Sequence, residues 1–333
     1  AGVRYTPRWG LRGSGLGRAG TVAVWTFVGL SVGQLGYIVV SRVASAAPGA
    51  AGVAGAMCAT HTPVAGNAAY DYAFLVFMLP HSLITTSLTT ALFTRLAGQA
   101  HDGDKAGVRA SLSTGLRAIA LTTVLAAAVI GVLAYPVVRL FLWTSGADEI
   151  AAVGGVVVAM VVGLPAFGAW SMFQRVYYAY EDARGMVPVQ VVMAVVVVAG
   201  TLLARLLAPP RWWVAGAGVA MSVSYLVGAL LAVPAVRRRI DSIDGARVVR
   251  VHVQALAAAA VAVAAGLAVL LSLGGSAAVG LGGAILRCVV VGAVMTAIYL
   301  GALRAMRVPE LGLLLSSGRS VARRLIRRGG TRR

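Results

Sequence analysis

Charged side chains are scarce in this sequence, and acidic ones are the scarcest. Only 12% of the 333 residues are charged, and 10 Asp and Glu stand against 29 Lys and Arg. Hydrophobic residues make up 59%, and the mean hydropathy is +0.86. A soluble domain carries about 25% charged residues. The composition therefore excludes an ordinary soluble protein and predicts an integral membrane protein.

Residue types that support catalysis or metal binding are also rare. The chain has two cysteines and four histidines, which is too few for a disulfide framework or a paired metal-ligand motif. It lacks an HExxH motif, a Walker loop and paired carboxylates within an apolar stretch. The net charge of +19 is not accompanied by the aromatic and basic interleaving of a nucleic-acid platform. We therefore expect no enzymatic activity, no metal, no cofactor and no nucleic-acid partner.

What the sequence does contain is a series of long apolar stretches. Each is near the 20 or so residues that an α-helix needs to cross about 30 Å of hydrocarbon. They cover residues 21–42, 67–98, 108–134, 150–176, 188–208, 214–236, 250–272 and 282–305. The sequence predicts an all-α integral membrane protein with eight transmembrane helices.

Basic residues set the expected orientation of these helices. All but five of the 29 fall on one side of the membrane when the eight stretches are threaded alternately. The positive-inside rule then places both termini in the cytoplasm. Residues 1–20 become a basic lead-in and residues 306–333 a basic tail. The tail mixes apolar residues with arginine, which suits either a helix on the inner leaflet or a solvated extension.

The stretch 67–98 carries the most informative pattern. Pro80 near its middle cannot donate a backbone hydrogen bond and predicts a kink. Four hydroxyl residues follow at i, i+3, i+4 and i+7, a spacing that places them on one helical face: Ser82, Thr85, Thr86 and Thr89. A polar stripe on a kinked helix is typical of a transporter wall. The alternative is that the hydroxyls bond back to their own helix or permit close packing.

A few other polar groups lie within or beside the apolar stretches. Gln34 follows Gly29 and Gly33, whose spacing lets another helix approach closely. A Gly163-Leu164-Pro165 sequence predicts a second kink. The candidate cavity residues are Gln34, Ser41, Ser82, Thr85, Thr86 and Thr89, with Arg95 and Arg175 at the inner mouth. A cavity that is rich in hydroxyl and arginine but poor in acid favours an anionic, phosphate-bearing lipid over a cationic drug.

Three segments resemble those of the MurJ/MviN family. They are residues 28–34 (VGLSVGQ), the Leu79-Pro80 helix that runs to Arg95-Leu96, and residues 173–184 (FQRVYYAYEDAR) followed by Pro188. The family comprises lipid II flippases of the multidrug/oligosaccharidyl-lipid/polysaccharide exporter superfamily. The resemblance covers the whole chain, but only as the C-terminal part of such a protein.

The resemblance implies a fold of 14 membrane-spanning helices in two lobes around a cationic cavity. Residues 21–236 would form the six-helix second lobe, and residues 237–305 two extra helices that form a lipid groove. The first lobe would precede Ala1, or a second copy would replace it. Two departures stand out: Leu75 occupies a position where the family often has a cavity arginine, and the first and fifth stretches lack the acidic residues through which some members bind sodium.

The predicted function is therefore translocation of a lipid-linked peptidoglycan precursor, lipid II, across the bacterial cytoplasmic membrane. Its partners would be that precursor and the surrounding membrane lipids. Two alternatives stay open. One is a membrane scaffold that recruits cell-wall partners without transporting, and the other is a drug or ion antiporter, which the missing buried carboxylates disfavour.

Overall fold

The computed structural model describes residues 16–52, 63–275 and 280–312, and all regular elements within these ranges are helices. Most of the basic lead-in and of the basic tail lies outside the described residues. The helices are α1 (Leu16–Ala50), α2 (Asn67–Pro80), α3 (Thr86–His101), α4 (Lys105–Val132), α5 (Ala134–Phe141), α6 (Ala147–Val161), α7 (Leu164–Ala179), α8 (Val187–Leu207), α9 (Trp213–Ile240), α10 (Gly245–Ser272) and α11 (Leu281–Ala305).

Six of these helices are long and apolar enough to cross a membrane, namely α1, α4, α8, α9, α10 and α11. Two further pairs reach that length only when both members are counted: α2 with α3, bent by 45°, and α6 with α7, bent by 48°. The described residues thus contain six candidate spans, or up to eight if each bent pair is one span. Every predicted apolar stretch is helical in the structure.

The first bend follows Pro80, as predicted. Proline has no N–H to donate, so the α-helical ladder is interrupted there. The chain continues through a π-helical turn at His81–Thr85, closed by a hydrogen bond from the Thr86 N–H to the His81 carbonyl. This wider turn was not predicted from the sequence. It rotates the residues beyond it relative to an unbroken α-helix.

The second bend lies at Gly163, within the Gly163-Leu164-Pro165 segment where a kink was predicted. A break inside an apolar bundle leaves carbonyl groups that water cannot satisfy. The Ser222 hydroxyl of α9 lies 2.9 Å from the Ala159 oxygen and 3.0 Å from the Met160 oxygen, and the second of these also accepts from the Gly163 N–H. A Cβ atom at residue 163 would lie 2.6 Å from the Ser222 Cα, so glycine allows this approach. The bend is therefore stabilised from the neighbouring helix.

The helices pack around α9 and α4. Helix α9 contacts α6, α7 and α8, while α4 contacts α3, α7 and α10. Helices α10 and α11 pack against each other, and the Tyr299 hydroxyl of α11 donates to the Leu121 carbonyl of α4 at 2.8 Å. Helix α1 contacts mainly α8. Only 11% of its most apolar 18-residue segment is buried. The outer face of α1 is thus left open in the described structure.

Arg287 on α11 illustrates a structural use of arginine. Its Nε donates to the Gly275 carbonyl at 2.7 Å, and another guanidinium nitrogen donates to the Leu273 carbonyl. These are orphan carbonyls just beyond the end of α10, which a cation stabilises. Arg287 is one of the five basic residues that the orientation analysis left on the outer side.

Candidate functional site

The exposed face of α3 is polar. Between residues 86 and 95 its exposed positions are Thr86, Ser87, Thr90, Ala91, Thr94 and Arg95. They repeat every four residues in two adjacent rows, so they form one continuous face. Polar and charged side chains within a membrane-spanning segment face a bundle interior or a water-filled cavity rather than acyl chains. We call this set the α3 polar face.

The predicted stripe is divided by the structure. Ser82 and Thr86 are exposed, whereas Thr85 and Thr89 are 0% and 1% exposed. The prediction of a single face is therefore wrong for Thr85 and Thr89, because their side of the helix packs against α4 and α7. The Thr85 hydroxyl has no hydrogen-bond partner in the described part of the chain.

The hydroxyls along α2 and α3 bond to their own helix. Ser82 donates to the Leu79 carbonyl at 3.0 Å, Thr86 to the His81 carbonyl at 3.3 Å, and Ser87 to the Leu83 carbonyl at 2.8 Å. This is the local bonding that the sequence analysis gave as an alternative. It leaves the oxygen lone pairs directed outward, so the face presents hydrogen-bond acceptors. Donors for an anion must come from elsewhere.

Two arginines lie near one end of the α3 polar face. Arg95 is exposed, and Arg175 of α7 lies with its guanidinium carbon 5.8 Å from the centre of the Phe93 ring. Phe93 also lines a cleft of about 740 Å³ whose other walls are Thr21 of α1, the end of α3 and residues 178–181. Arg175 thus adjoins this opening through Phe93, whereas neither arginine is one of its lining residues.

Gln34 lines a different cavity, of about 480 Å³, between α1, α2, α8 and α9. Its polar lining includes Gln34, Tyr37, Asp71, Gln190 and Ser224. Asp71 accepts hydrogen bonds from the Tyr37 hydroxyl at 2.8 Å and from the Asn67 amide at 3.0 Å. Ser41, half-buried further along α1, and the other candidate residues are not part of this lining.

The glycine pair before Gln34 has two different environments. A Cβ at residue 29 would lie 2.1 Å from Gln190 Oε1, so Gly29 makes room for that side chain of α8. No atom lies within 4 Å of the corresponding point at Gly33, which lines the cavity instead. The predicted close approach of another helix is confirmed at Gly29 only.

Residues 1–288 match the family described as Lipid II flippase MurJ. The chain belongs to the MurJ family. The resemblance noted in the sequence is thereby confirmed, and the chain is a multi-pass protein of the bacterial cytoplasmic membrane.

A solved MurJ structure has the same fold as this MurJ family chain. That structure, a lipid II flippase in an inward closed conformation, aligns with a TM-score of 0.57 at 15% sequence identity. The alignment covers 89% of this chain and 57% of the solved one. The chain therefore spans little more than half the length of the protein that it matches.

Leu75, where the MurJ resemblance leads one to expect a cavity arginine, is 46% exposed on α2. The structure thus leaves that position open, with an apolar side chain. The polar residues that the sequence analysis missed are Ser87, Thr90, Thr94, Asp71 and Gln190. Thr86, Thr90 and Thr94 recur at i, i+4 and i+8, a signal that was readable in the sequence. The cavity around Asp71 and Gln190 was not, because it joins helices that are distant in sequence.

The lipid groove expected of residues 237–305 stays a prediction. Helices α10 and α11 do pack together. However, the apolar groove of about 690 Å³ that involves this region is lined by α10 with α4, α6, α7 and α9. Helix α11 contributes none of its lining residues.

Proposed function

We propose that this chain forms the second lobe of a flippase that moves a lipid-linked peptidoglycan precursor across the cytoplasmic membrane without covalent chemistry. The α3 polar face is the observation that carries the proposal. It is a row of hydroxyls and one arginine on the exposed side of a bent membrane helix, where lipid would favour apolar residues. Family membership names the cargo class.

The face suits the two chemical parts of such a cargo. Sugars and peptides present many N–H and O–H donors, which the outward lone pairs of Thr86 and Ser87, and of Ser82 in the preceding turn, can accept. The diphosphate needs positive donors, and we assign these to Arg95 on the face and to Arg175, which contacts Phe93 of the cleft. In the orientation predicted from the arginine count, this end is cytoplasmic, where the precursor is loaded.

A single lobe offers only one wall of a transport path. In the described residues no helix covers the α3 polar face, and α1 is also open on its outer side. Alternating access requires a second repeat or lobe that rocks against the first. We propose that this second wall is a preceding lobe of the same protein, with a second copy of the chain as the other arrangement.

The test is a headgroup-accessibility assay in vesicles, with this chain supplied together with the preceding lobe that we propose. Replacing Thr86 and Thr90 by leucine removes two acceptors from the face, and we expect transport to fall at least about tenfold, since each lost hydrogen bond contributes about 1 kcal/mol. Thr296→Leu on α11 is the matched control, because that half-buried hydroxyl bonds only to its own helix, at Gly292.

The result that overturns the proposal is full transport by the double variant. A scaffold would tolerate both leucines while retaining its partners, and a cation antiporter would lose proton- or sodium-coupled drug efflux instead. Each outcome is distinct in the same vesicles.

A further inference from the structure

A second cluster of arginines lines a pocket of about 600 Å³ between α4 and the segment that joins α9 to α10. Its polar lining residues are Arg109, Ser113, Thr114, Arg117, Ser242, Asp244 and Arg247. None of them belongs to the α3 polar face or to the two cavities described with it. Arg109 and Arg117 lie on α4, and Arg247 lies in the first turn of α10. The α9–α10 connection is at the end of the bundle that the arginine count assigns to the cytoplasm.

The three arginines of the pocket are held differently. Arg117 is 8% exposed and paired with Glu310, which follows α11, so its charge is offset. Arg109 donates through one terminal nitrogen to the Ile240 carbonyl at 2.9 Å, while its buried Nε has no hydrogen-bond partner in the described residues. Arg247 is exposed and forms no ion pair in the described part of the chain. Arg109 is thus fixed by its hydrogen bond to Ile240, and both Arg109 and Arg247 retain N–H groups that no described residue accepts.

The first turn of α10 also contributes to the pocket, through Asp244 and Arg247. Asp244 occupies its N-cap position but makes no capping hydrogen bond. Its carboxylate instead accepts from the Ser113 hydroxyl of α4 at 3.1 Å. The N–H groups at the start of a helix, when left uncapped, favour an anion such as phosphate. Arg247 of this first turn and Arg109 of α4 both line the pocket.

The charge balance of the pocket matches a phosphodiester. Three arginines face two carboxylates, Asp244 and the Glu310 that pairs with Arg117, which leaves a net charge of one positive. The next residues along both helices, Leu116 of α4 and Val248 of α10, line the apolar groove of about 690 Å³. Polar headgroup contacts and apolar chain contacts are therefore available side by side.

We propose that this pocket binds the phosphate headgroup of an anionic phospholipid of the inner leaflet. Basic pockets between membrane helices on the cytoplasmic side are suited to such headgroups. The bound lipid would add to the contacts that already join α4 to the α9–α10 connection, among them the Ser113–Asp244 and Arg109–Ile240 hydrogen bonds. The pocket shares no residue with the proposed transport path, so lipid binding here can be tested independently of transport.

The experiment measures lipid retention by native mass spectrometry on the chain purified with phosphatidylglycerol. Replacing both Arg109 and Arg247 by glutamine should lower retention at least about tenfold, since hydrogen bonds to charged groups contribute most where the donor is positioned. Arg247→Gln alone should lower it several-fold without affecting folding, because that side chain is exposed. Arg238→Gln, an equal loss of charge on an exposed residue of α9 outside the pocket, should leave retention unchanged.

Two further arms identify the ligand. Zwitterionic phosphatidylcholine should be retained less than phosphatidylglycerol by the unaltered chain, and millimolar inorganic phosphate should not displace the lipid. Equal retention by the Arg247→Gln and Arg238→Gln variants would overturn the site. Displacement by inorganic phosphate, or equal retention of the two lipids, would overturn the assignment to an anionic lipid.

Discussion

Helices α3 and α10 both lie in the membrane-spanning bundle, but their exposed faces have opposite chemistry. From Val253 to Ala268 every exposed position of α10 is Ala, Val or Leu. From Thr86 to Arg95 every exposed position of α3 except Ala91 is Thr, Ser or Arg. Acyl chains solvate the first face at no cost, whereas they leave the hydrogen-bonding groups of the second unsatisfied. The difference separates a lipid-facing surface from one that faces water or a second lobe.

A charge inserted into each face should have different consequences for stability. Val261 is 56% exposed near the middle of α10. Val261→Arg should destabilise the inserted protein by about 3 kcal/mol, the cost of arginine at the centre of a membrane helix. Thr90→Arg should be tolerated. The measurement is the yield and melting temperature of folded protein in lipid nanodiscs, and equal losses for both variants would contradict the assignment of the two faces.

Chemical labelling tests the same contrast without adding charge. A cysteine at Thr90 should react with a water-soluble maleimide at least about tenfold faster than one at Val253, because thiolate formation requires water. Both variants are made in a background in which Cys58 and Cys288 are replaced by alanine. Labelling rates are measured in sealed vesicles and after permeabilisation. Comparable rates at the two positions would show that α3 is covered by lipid.

Ser222 carries a hydroxyl with a structural role, in contrast to the exposed hydroxyls of the α3 polar face. Its bonds to the Ala159 and Met160 carbonyls stabilise the α6–α7 bend. Ser222→Ala should lower the free energy of unfolding by about 1 kcal/mol, because the Ala159 carbonyl loses the hydroxyl donor while the Met160 carbonyl keeps the Gly163 N–H. Ser171→Ala is the control, since that buried hydroxyl bonds only to the Phe167 carbonyl of its own helix. An equal effect of both variants would argue against the stabilised bend.

The smallest expected effect is that of Thr90→Ala on stability. Thr90 is exposed, and alanine is the better helix former by a few tenths of a kcal/mol. We expect unchanged or slightly raised stability in a denaturant titration, together with weaker transport in the vesicle assay. A marked loss of stability would mean that Thr90 packs against another part of the protein and does not line a path.

Much of the fold was predictable from local chemistry. The apolar stretches of membrane-spanning length are helical. The two predicted kinks, at Pro80 and at Gly163-Leu164-Pro165, coincide with the two bends. The short helix α5 was not predicted; its Pro136 lies in the first turn, where proline is tolerated. The π-helical turn after Pro80 was missed as well, because its wider spacing has no signature in composition or periodicity.

Three properties of this protein could be inferred without its coordinates: it lies in a membrane, its elements are helical, and it belongs to the MurJ family. Length, hydropathy and short ordered motifs are properties of the chain, and they need no knowledge of neighbours. Three other properties could be read only from the coordinates. Thr85 and Thr89 face the interior, and the Ser222 hydroxyl bonds to carbonyls of another helix. Arg109 and Arg247 line the same pocket. Each of these depends on which helices pack together, and helix packing brings together residues more than 60 positions apart.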